Sequence, residues 1–382
     1  MVERVDVNPQ LITWARRRSR HAAATLRRRF PKLDDWEQGA WSPTQKQLED
    51  YARATHVSVE WLLLDAPPEE RVPIPDGRAV TRAEARRPTP DMLDTIQQCH
   101  QRQSWYRKFA RATREGAVAA VGSMTLDTDV VDAATAMRAA LDFELAERRA
   151  AYAHSPARLA QSAEELGVLV MVNGVVGSNT RRKLDASEFR GFALVDRDAP
   201  VVFVNGTDMK PAQVFTLAHE LAHVWLGETA LCDADLTARA ATRAEAWCTA
   251  VAAEFLVPEI ELRAQLDESR AGVEEAQRLA KRFKVSPLVM YRRLHDIGRF
   301  HRYAFETAYE KEIDRLREQR ASRKSGGGNF YNTQPVRVSK RFARALLAST
   351  LDGRTRDTEA FEMLGFRQAT TLRKLAERMG VA

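Results

Sequence analysis

The sequence contains few cysteines and no long apolar run, and each shortage excludes a class of protein. Its three cysteines, Cys99, Cys232 and Cys248, form no CxxC pair, which argues against a disulfide framework and for a reducing compartment. The longest apolar run, LGVLVMV, is far too short to cross a bilayer. The opening segment, MVERVDVNPQ, has charges and a proline where a signal peptide is apolar. We therefore expect a cytoplasmic protein without membrane contact.

Length and charge say less about the class of protein. At 382 residues, of which 44% are hydrophobic, the chain is long enough for two or three domains with their own cores. Its formal net charge of +7 is spread along the chain rather than concentrated in one segment. A charge of this kind is a weak indicator of a nucleic-acid partner, so the function has to be inferred from motifs.

The residue pattern predicts a mainly helical α+β protein with a small antiparallel sheet. Helical periodicity dominates, while GVLVMVNGVVG, EFRGFALVD and APVVFVNG are β-branched and aromatic runs that predict three strands. The short link RDAP between the last two predicts a hairpin. The predicted domains are a helical module at 1–66, a proline-rich linker at 67–89, a domain containing the strands at 90–300, a helix with a Gly/Ser-rich linker at 301–328, and a C-terminal helical domain at 329–382.

One helix carries two histidines a turn apart, in TLAHELAHVWLG. At about 100° per residue, His219 and His223 lie side by side, opposite the apolar stripe that contains Leu217 and Leu221. Two imidazoles at i and i+4 can bind one metal ion, and Glu220 can reach a water on it, as in the H-E-x-x-H motif. The alternative is a packed helix with two chance histidines. The position directly after a predicted strand favours the metal site.

A catalytic zinc ion needs a third protein ligand and an open position for water. The downstream helix EAWCTAVAAEFL offers Glu245 and Glu254, which are about 180° apart on a helix and so cannot both face one ion. Glu245 is the predicted ligand, because small neighbours would let its side approach the histidine helix, and Glu254 is the alternative. Between the two helices lie Cys232, Asp233 and Asp235, which we interpret as polar loop groups, with a carboxylate there able to hydrogen-bond a ligand histidine.

These roles predict the chemistry of peptide hydrolysis. Zinc would polarise the scissile carbonyl and acidify a water, while Glu220 would take that proton and deliver it to the leaving amine. An extended peptide could be held as an added strand on an open sheet edge beside the site. The strand in APVVFVNG, nearest in sequence to the motif, is the expected edge.

The segments FTLAHELAHVWLG and EAWCTAVAAEFLVP together resemble the ImmA/IrrE family of bacterial zinc metallopeptidases, over roughly 150–300. The resemblance implies that His219, His223 and Glu245 bind zinc and that Glu220 is the general base. Thr249 stands where the family usually has Asn or Asp, and its hydroxyl can still hydrogen-bond a group behind the ligands. The resemblance also implies regulation by proteolysis, with a repressor-like or antitoxin-like protein as the substrate.

The first 66 residues resemble the phage-repressor-like (Xre-type) helix-turn-helix module that is often fused to such peptidases, with WEQG matching the W-E-x-G at the end of its reading helix. The preceding FPKLDD is shorter than the usual turn plus reading helix, and Asp34, Asp35 and Glu37 would meet DNA phosphates unfavourably. A module for dimerisation or docking is the alternative.

The sequence thus predicts a zinc metalloendopeptidase, or else a DNA-binding transcriptional regulator with a sensing or structural metal. The sequence leaves open whether the protein forms a homo-oligomer.

Overall fold

The computed structural model describes residues 4–19, 22–76, 88–143, 156–232, 242–270, 272–322 and 329–381. They form two compact units, the first from Met1–Pro73 with Arg87–Asp94 and the second from Ile74–Arg86 with Thr95–Ala382. The fold is mainly helical with a small sheet, which confirms the predicted fold class. Among the described helices, none has the length and apolarity needed to cross a membrane.

The first unit is a bundle of short helices: α1 (Pro9–Arg18), α2 (Ala23–Arg29), α3 (Leu33–Glu37) and α4 (Gln45–Thr55), followed by a 3-10 turn at Glu60–Leu63. A capping box formed by Thr44 and Gln47 begins α4, because each side chain accepts a hydrogen bond from the other's backbone N–H. Tyr51 is fully buried in the core of the unit, and its hydroxyl donates to the carbonyl of Ile12 at 2.7 Å.

The second unit contains the remaining helices and the strands of the part of the chain that the structure describes. Its helices up to the sheet are α5 (Pro90–Thr113), which starts in the first unit, α6 (Val130–Ala140) and α7 (Pro156–Glu165). Its strands are β1 (Leu169–Asn173), β2 (Val175–Val176), β3 (Asn179–Lys183), β4 (Gly191–Leu194), β5 (Val201–Asn205) and β6 (Ala230–Cys232). After β5 come α8 (Lys210–Leu226), α9 (Arg243–Leu256), α10 (Glu259–Arg263), α11 (Gly272–Phe283), α12 (Pro287–Asp296) and α13 (Arg302–Ser322). The chain continues with α14 (Phe330–Val338), α15 (Lys340–Leu351), α16 (Asp357–Leu364) and α17 (Ala369–Met379).

Four strands form a mixed sheet in the order β1-β5-β4-β6, and β2 and β3 form a separate ribbon. The antiparallel β4–β5 pairing confirms the predicted hairpin. The β1–β5 pairing is parallel, so the expectation of a purely antiparallel sheet is wrong. The ribbon and β4 lie between these two strands in the sequence, and they bring the chain back to the end of the sheet at which β1 begins. The expectation that β5 forms an open edge is wrong, because β1 and β4 occupy both of its sides.

A short segment of the second unit covers the edge strand β6. The amide of Leu231 donates to the carbonyl of Pro75 at 2.9 Å, and Asp76 forms a parallel bridge with Leu231. Ile74 is buried beside this contact. Pairing of an edge strand protects its free N–H and C=O groups from other chains. In the described part of the chain, this segment is the neighbour of β6 on the side away from β4.

The helices after residue 329 belong to the second unit. Helix α14 packs against β1, and the hydroxyl of Ser178 donates to the carbonyl of Gly365. Arg341 at the start of α15 donates to the Glu115 carboxylate at 2.7 Å and to the Tyr106 hydroxyl at 2.7 Å. These contacts attach the C-terminal helices to β1, to the turn between β2 and β3 and to the C-terminal part of α5.

Candidate metal centre

Helix α8 holds the histidine pair in the interior of the second unit. It packs on β4 and β5, and Leu217 and Leu221 on its apolar stripe are fully buried. Gly227 ends the helix in a left-handed conformation with φ of +83°, which glycine adopts without steric cost. The side chains of His219 and His223 are each 1% exposed and Glu220 is fully buried. All three polar groups are thus removed from water.

Helix α9 brings the predicted third ligand to the same place. Thr242 caps the helix, and its hydroxyl accepts a hydrogen bond from the Glu245 amide at 3.1 Å. The two carboxylate oxygens of Glu245 lie 3.2 Å from Nε2 of His219 and 3.2 Å from Nε2 of His223. Because α9 packs closely on α8, Glu245 lies beside the two histidines. The sequence predicted this approach from the side of the helix on which Glu245 lies.

The distances between these three groups fit a zinc ion. With metal–ligand bonds of about 2.0–2.1 Å, two nitrogen or oxygen ligands at tetrahedral positions lie about 3.3 Å apart. The two histidine Nε2 atoms are 3.2 Å apart, and each is 3.2 Å from a Glu245 oxygen. Three lone-pair donors therefore surround a space of the right size for one ion.

The ionisation of the cluster also suits a cation. Burial lowers the pKa of His223, more than its contact with Glu245 raises it, so the imidazole stays neutral as metal binding requires. Burial alone would raise the pKa of Glu245, but hydrogen bonds with His219 and His223 outweigh it and hold that pKa below its usual range. A buried carboxylate beside two imidazoles is a donor set typical of zinc sites.

Glu220 lies next to the cluster in a closely packed niche. Its Oε2 atom is 3.5 Å from Sγ of Cys232, and Oε1 is buried without a hydrogen-bond partner among the described groups. Burial raises the pKa of Glu220 well above its usual range, and the charge of Glu245 raises it further, whereas the Cys232 thiol opposes the shift. A carboxyl group whose pKa is raised towards neutrality suits a general base.

Gly191 on β4 provides the room for Glu220. A Cβ atom at this position would lie 2.7 Å from Glu220 Oε1, 2.7 Å from the Thr216 methyl carbon and 2.8 Å from the Phe203 carbonyl oxygen. Real Cβ atoms do not approach other atoms this closely. Glycine is therefore required here because α8 lies close to the sheet, and the sequence pattern did not single out this residue.

Behind the histidines, Thr249 Oγ1 lies 3.5 Å from Nδ1 of His219, at the upper limit of hydrogen bonding. The structure thus places Thr249 beside a predicted ligand, where it can orient the ring. Nδ1 of His223 is buried and has no hydrogen-bond partner among the described groups. The orientation of this ring is set by packing and by its Nε2 contacts.

Glu254, the alternative ligand, lies outside the cluster. Its carboxylate forms a buried ion pair with Arg293 and accepts a hydrogen bond from the Glu259 amide at 3.2 Å. This carboxylate is already fully engaged, and it points away from the histidines as the helical angles predicted. Its role in the described structure is to join α9 to α10 and α12.

The sequence predicts that Cys232 is a polar loop residue, and the structure corrects this. It ends β6, is fully buried, and its Sγ lies 3.4 Å from both His223 Nε2 and Glu245 Oε1. His219, His223, Cys232 and Glu245 together form a group whose ligand atoms all lie within 4.8 Å of one another. A cysteine between the two helices that carry the predicted ligands was the available signal. Asp233 and Asp235 lie outside the described residues.

Comparison with known proteins agrees with this site. Residues 163–295 match the family model described as the IrrE N-terminal-like domain (Peptidase_M78), and this range contains the whole cluster. The match supports the resemblance to the ImmA/IrrE family and a metallopeptidase-type function for this part of the chain. Residues 338–378 match a model described as a domain of unknown function, DUF8813. No curated protein matches the chain.

Proposed function

We propose that the protein is a zinc-dependent endopeptidase in which His219, His223 and Glu245 hold the ion and Glu220 is the general base. The observation that carries this proposal is the convergence of two imidazoles and a carboxylate at mutual distances of 3.2 Å, with a further buried carboxylate beside them. The family match over this region supports the same activity. Other divalent ions could fit the same donors, and zinc best suits a neutral nitrogen and carboxylate set of this size.

Each residue of the site has a distinct role in this proposal. When bound, the ion would polarise the scissile carbonyl and lower the pKa of a water molecule. Glu220 accepts a proton from that water and passes it to the leaving amine. Its burial favours this task, because a carboxylate shielded from bulk solvent holds the proton it takes. Thr249 orients the His219 ring from behind.

The proposed substrate is a regulatory protein of the repressor or antitoxin kind, as the family resemblance implies. The cytoplasmic location is part of the same proposal, and the three cysteines are all free and buried, as a reducing compartment requires. DNA binding by the first unit stays a prediction. Helix α3, which would take the place of the reading helix, has five residues with Asp34 and Asp35 in its first turn, and these charges would repel phosphates.

The test compares metal content with cleavage in matched variants. The wild-type full chain should contain about one zinc ion and generate new amino termini in a proteome-derived peptide library, as measured by mass spectrometry. Glu220→Gln should keep the zinc and lose cleavage by at least about 100-fold, whereas His223→Ala should lose both.

Glu228→Gln is the matched control, because Glu228 is exposed just beyond the same helix; it should behave as wild type. If the wild-type chain bound no metal, or if Glu220→Gln cleaved normally, the proposed activity would be wrong. For the alternative, a gel shift on the gene's own promoter should show sequence-specific binding that is indifferent to Glu220→Gln.

A further inference from the structure

The sulfur of Cys232 faces two proposed ligand atoms and the carboxylate of the proposed general base. Strand β6 pairs with β4 so that Cys232 is opposite Gly191, and this register directs the thiol into the cluster. Its Sγ lies 3.4 Å from His223 Nε2, 3.4 Å from Glu245 Oε1 and 3.5 Å from Glu220 Oε2. The residue is fully buried, so the thiol has no contact with solvent in this conformation.

A thiol alone cannot satisfy these neighbours. It has one proton to donate, whereas the carboxylate oxygens of Glu220 and Glu245 both lie within reach of it, and Nε2 of His223 also accepts when the ring proton is on Nδ1. A cation between the sulfur, the histidines and Glu245 would satisfy the cluster, because every one of these atoms can act as a metal ligand.

The distances agree with this arrangement. Zinc–sulfur bonds of about 2.3 Å and zinc–nitrogen bonds of about 2.0–2.1 Å at tetrahedral angles place the two ligand atoms about 3.5 Å apart. The sulfur lies 3.4 Å from the His223 nitrogen and 3.4 Å from the Glu245 oxygen. The sulfur thus has the separation of a ligand from its neighbours, slightly longer than the 3.2 Å between nitrogen and oxygen atoms.

We propose that Cys232 is a fourth protein ligand of the metal ion, which makes the site closed in this conformation. The proposal rests on the metal site of the proposed function. The sulfur lies on the side of the cluster that Glu220 faces, where the general base would need a water molecule. Sites with four protein ligands are structural or resting sites, and catalysis requires an open position. Hydrolysis therefore requires the sulfur to withdraw, and Cys232 keeps the peptidase latent.

X-ray absorption at the zinc edge tests the ligand directly, without reference to activity. The zinc-loaded full chain should show one sulfur at about 2.3 Å together with nitrogen and oxygen scatterers. Cys232→Ser should lose the sulfur and bind zinc at least about tenfold more weakly. The double variant Cys99→Ser/Cys248→Ser, which replaces the other two buried cysteines, should retain the sulfur and the affinity.

The outcomes separate the two proposals. A wild-type spectrum with zinc bound only by nitrogen and oxygen would overturn the role of Cys232 and leave the peptidase proposal intact. A chain that binds no zinc would overturn both. If Cys232→Ser does not fold, the double variant still decides, because Cys232 is then the remaining thiol and the sulfur signal must come from it. In the folded Cys232→Ser variant, peptide cleavage should increase, and an unchanged rate would contradict latency.

Discussion

Replacement of Gly191 by alanine should damage the metal centre and the fold together. The φ angle of Gly191 is not in the left-handed region. Glycine is therefore required here because a side chain has no room, and not because of the backbone conformation. The added methyl group would lie 2.7 Å from the Glu220 carboxylate and 2.8 Å from the Phe203 carbonyl oxygen. The carboxylate can move, but the Phe203 carbonyl belongs to the neighbouring strand β5. Relief of both contacts requires α8 or β5 to shift.

The expected cost follows from this geometry. Insertion of one carbon into a well-packed core destabilises by about 1–3 kcal/mol, and a clash with sheet backbone belongs in the upper half of that range. For a unit of this size, each kcal/mol lowers the melting temperature by about 2–4 °C. We expect Gly191→Ala to melt about 5–10 °C lower and to lose most peptide cleavage, because Glu220 is displaced from the cluster.

Differential scanning calorimetry and the peptide-library assay measure these two effects. Gly116→Ala is the matched control, since Gly116 is exposed and has an ordinary φ, and a methyl group added there would meet no atom within 4 Å. It should be neutral or stabilising by up to about 1 kcal/mol. If Gly191→Ala melted and cleaved like the wild type, the close approach of α8 to the sheet would be wrong, and with it the placement of Glu220.

Three further predictions concern the second unit. Arg293→Met should destabilise by about 3–5 kcal/mol in urea unfolding, because it leaves Glu254 charged and buried; the double variant with Glu254→Gln should recover much of this loss, and no recovery would contradict the pairing. Chelation of zinc should lower the melting temperature by about 5 °C, as removal of an ion present at about 100 times its Kd costs about 2.7 kcal/mol, and an unchanged value would argue against a bound ion. In native-state hydrogen exchange, the Leu231 amide should be protected by Pro75, and Ile74→Asp should speed its exchange at least about tenfold; equal rates would refute the edge pairing.

Local patterns predicted the elements with a strong period. The helices α8, α9, α11, α12 and α13 and the strands β1, β4 and β5 follow from apolar periodicity and β-branched runs, which reflect burial of one face or of a whole strand. The short strand β6 has three residues, too few to show an alternation. Strand β3, NTRRK, is almost entirely polar and exposed, so it lacks the buried face from which a strand is recognised.

The candidate site was predictable where it depends on one helix and less so where it depends on strand pairing. The relation of His219 to His223 is fixed by helical geometry, and the same rule shows that Glu245 and Glu254 cannot both face the ion. The choice of Glu245 then rests on its small neighbours. Cys232 and Gly191 reach the cluster through the register between β4 and β6, and no local signal fixes which residues of two distant strands meet. The order of strands in the sheet, and hence the wrong edge assigned to β5, is non-local in the same way.

The pairing of Pro75 and Asp76 with Leu231 affects how any outside peptide could reach this edge. A resident segment joined to the same chain competes at a local concentration of about 1 mM. A free peptide at micromolar concentration therefore begins at a disadvantage of about a thousandfold, before any difference in side-chain contacts. Recruitment to β6 would favour ligands that arrive tethered, through docking elsewhere on the protein, over short peptides that diffuse freely.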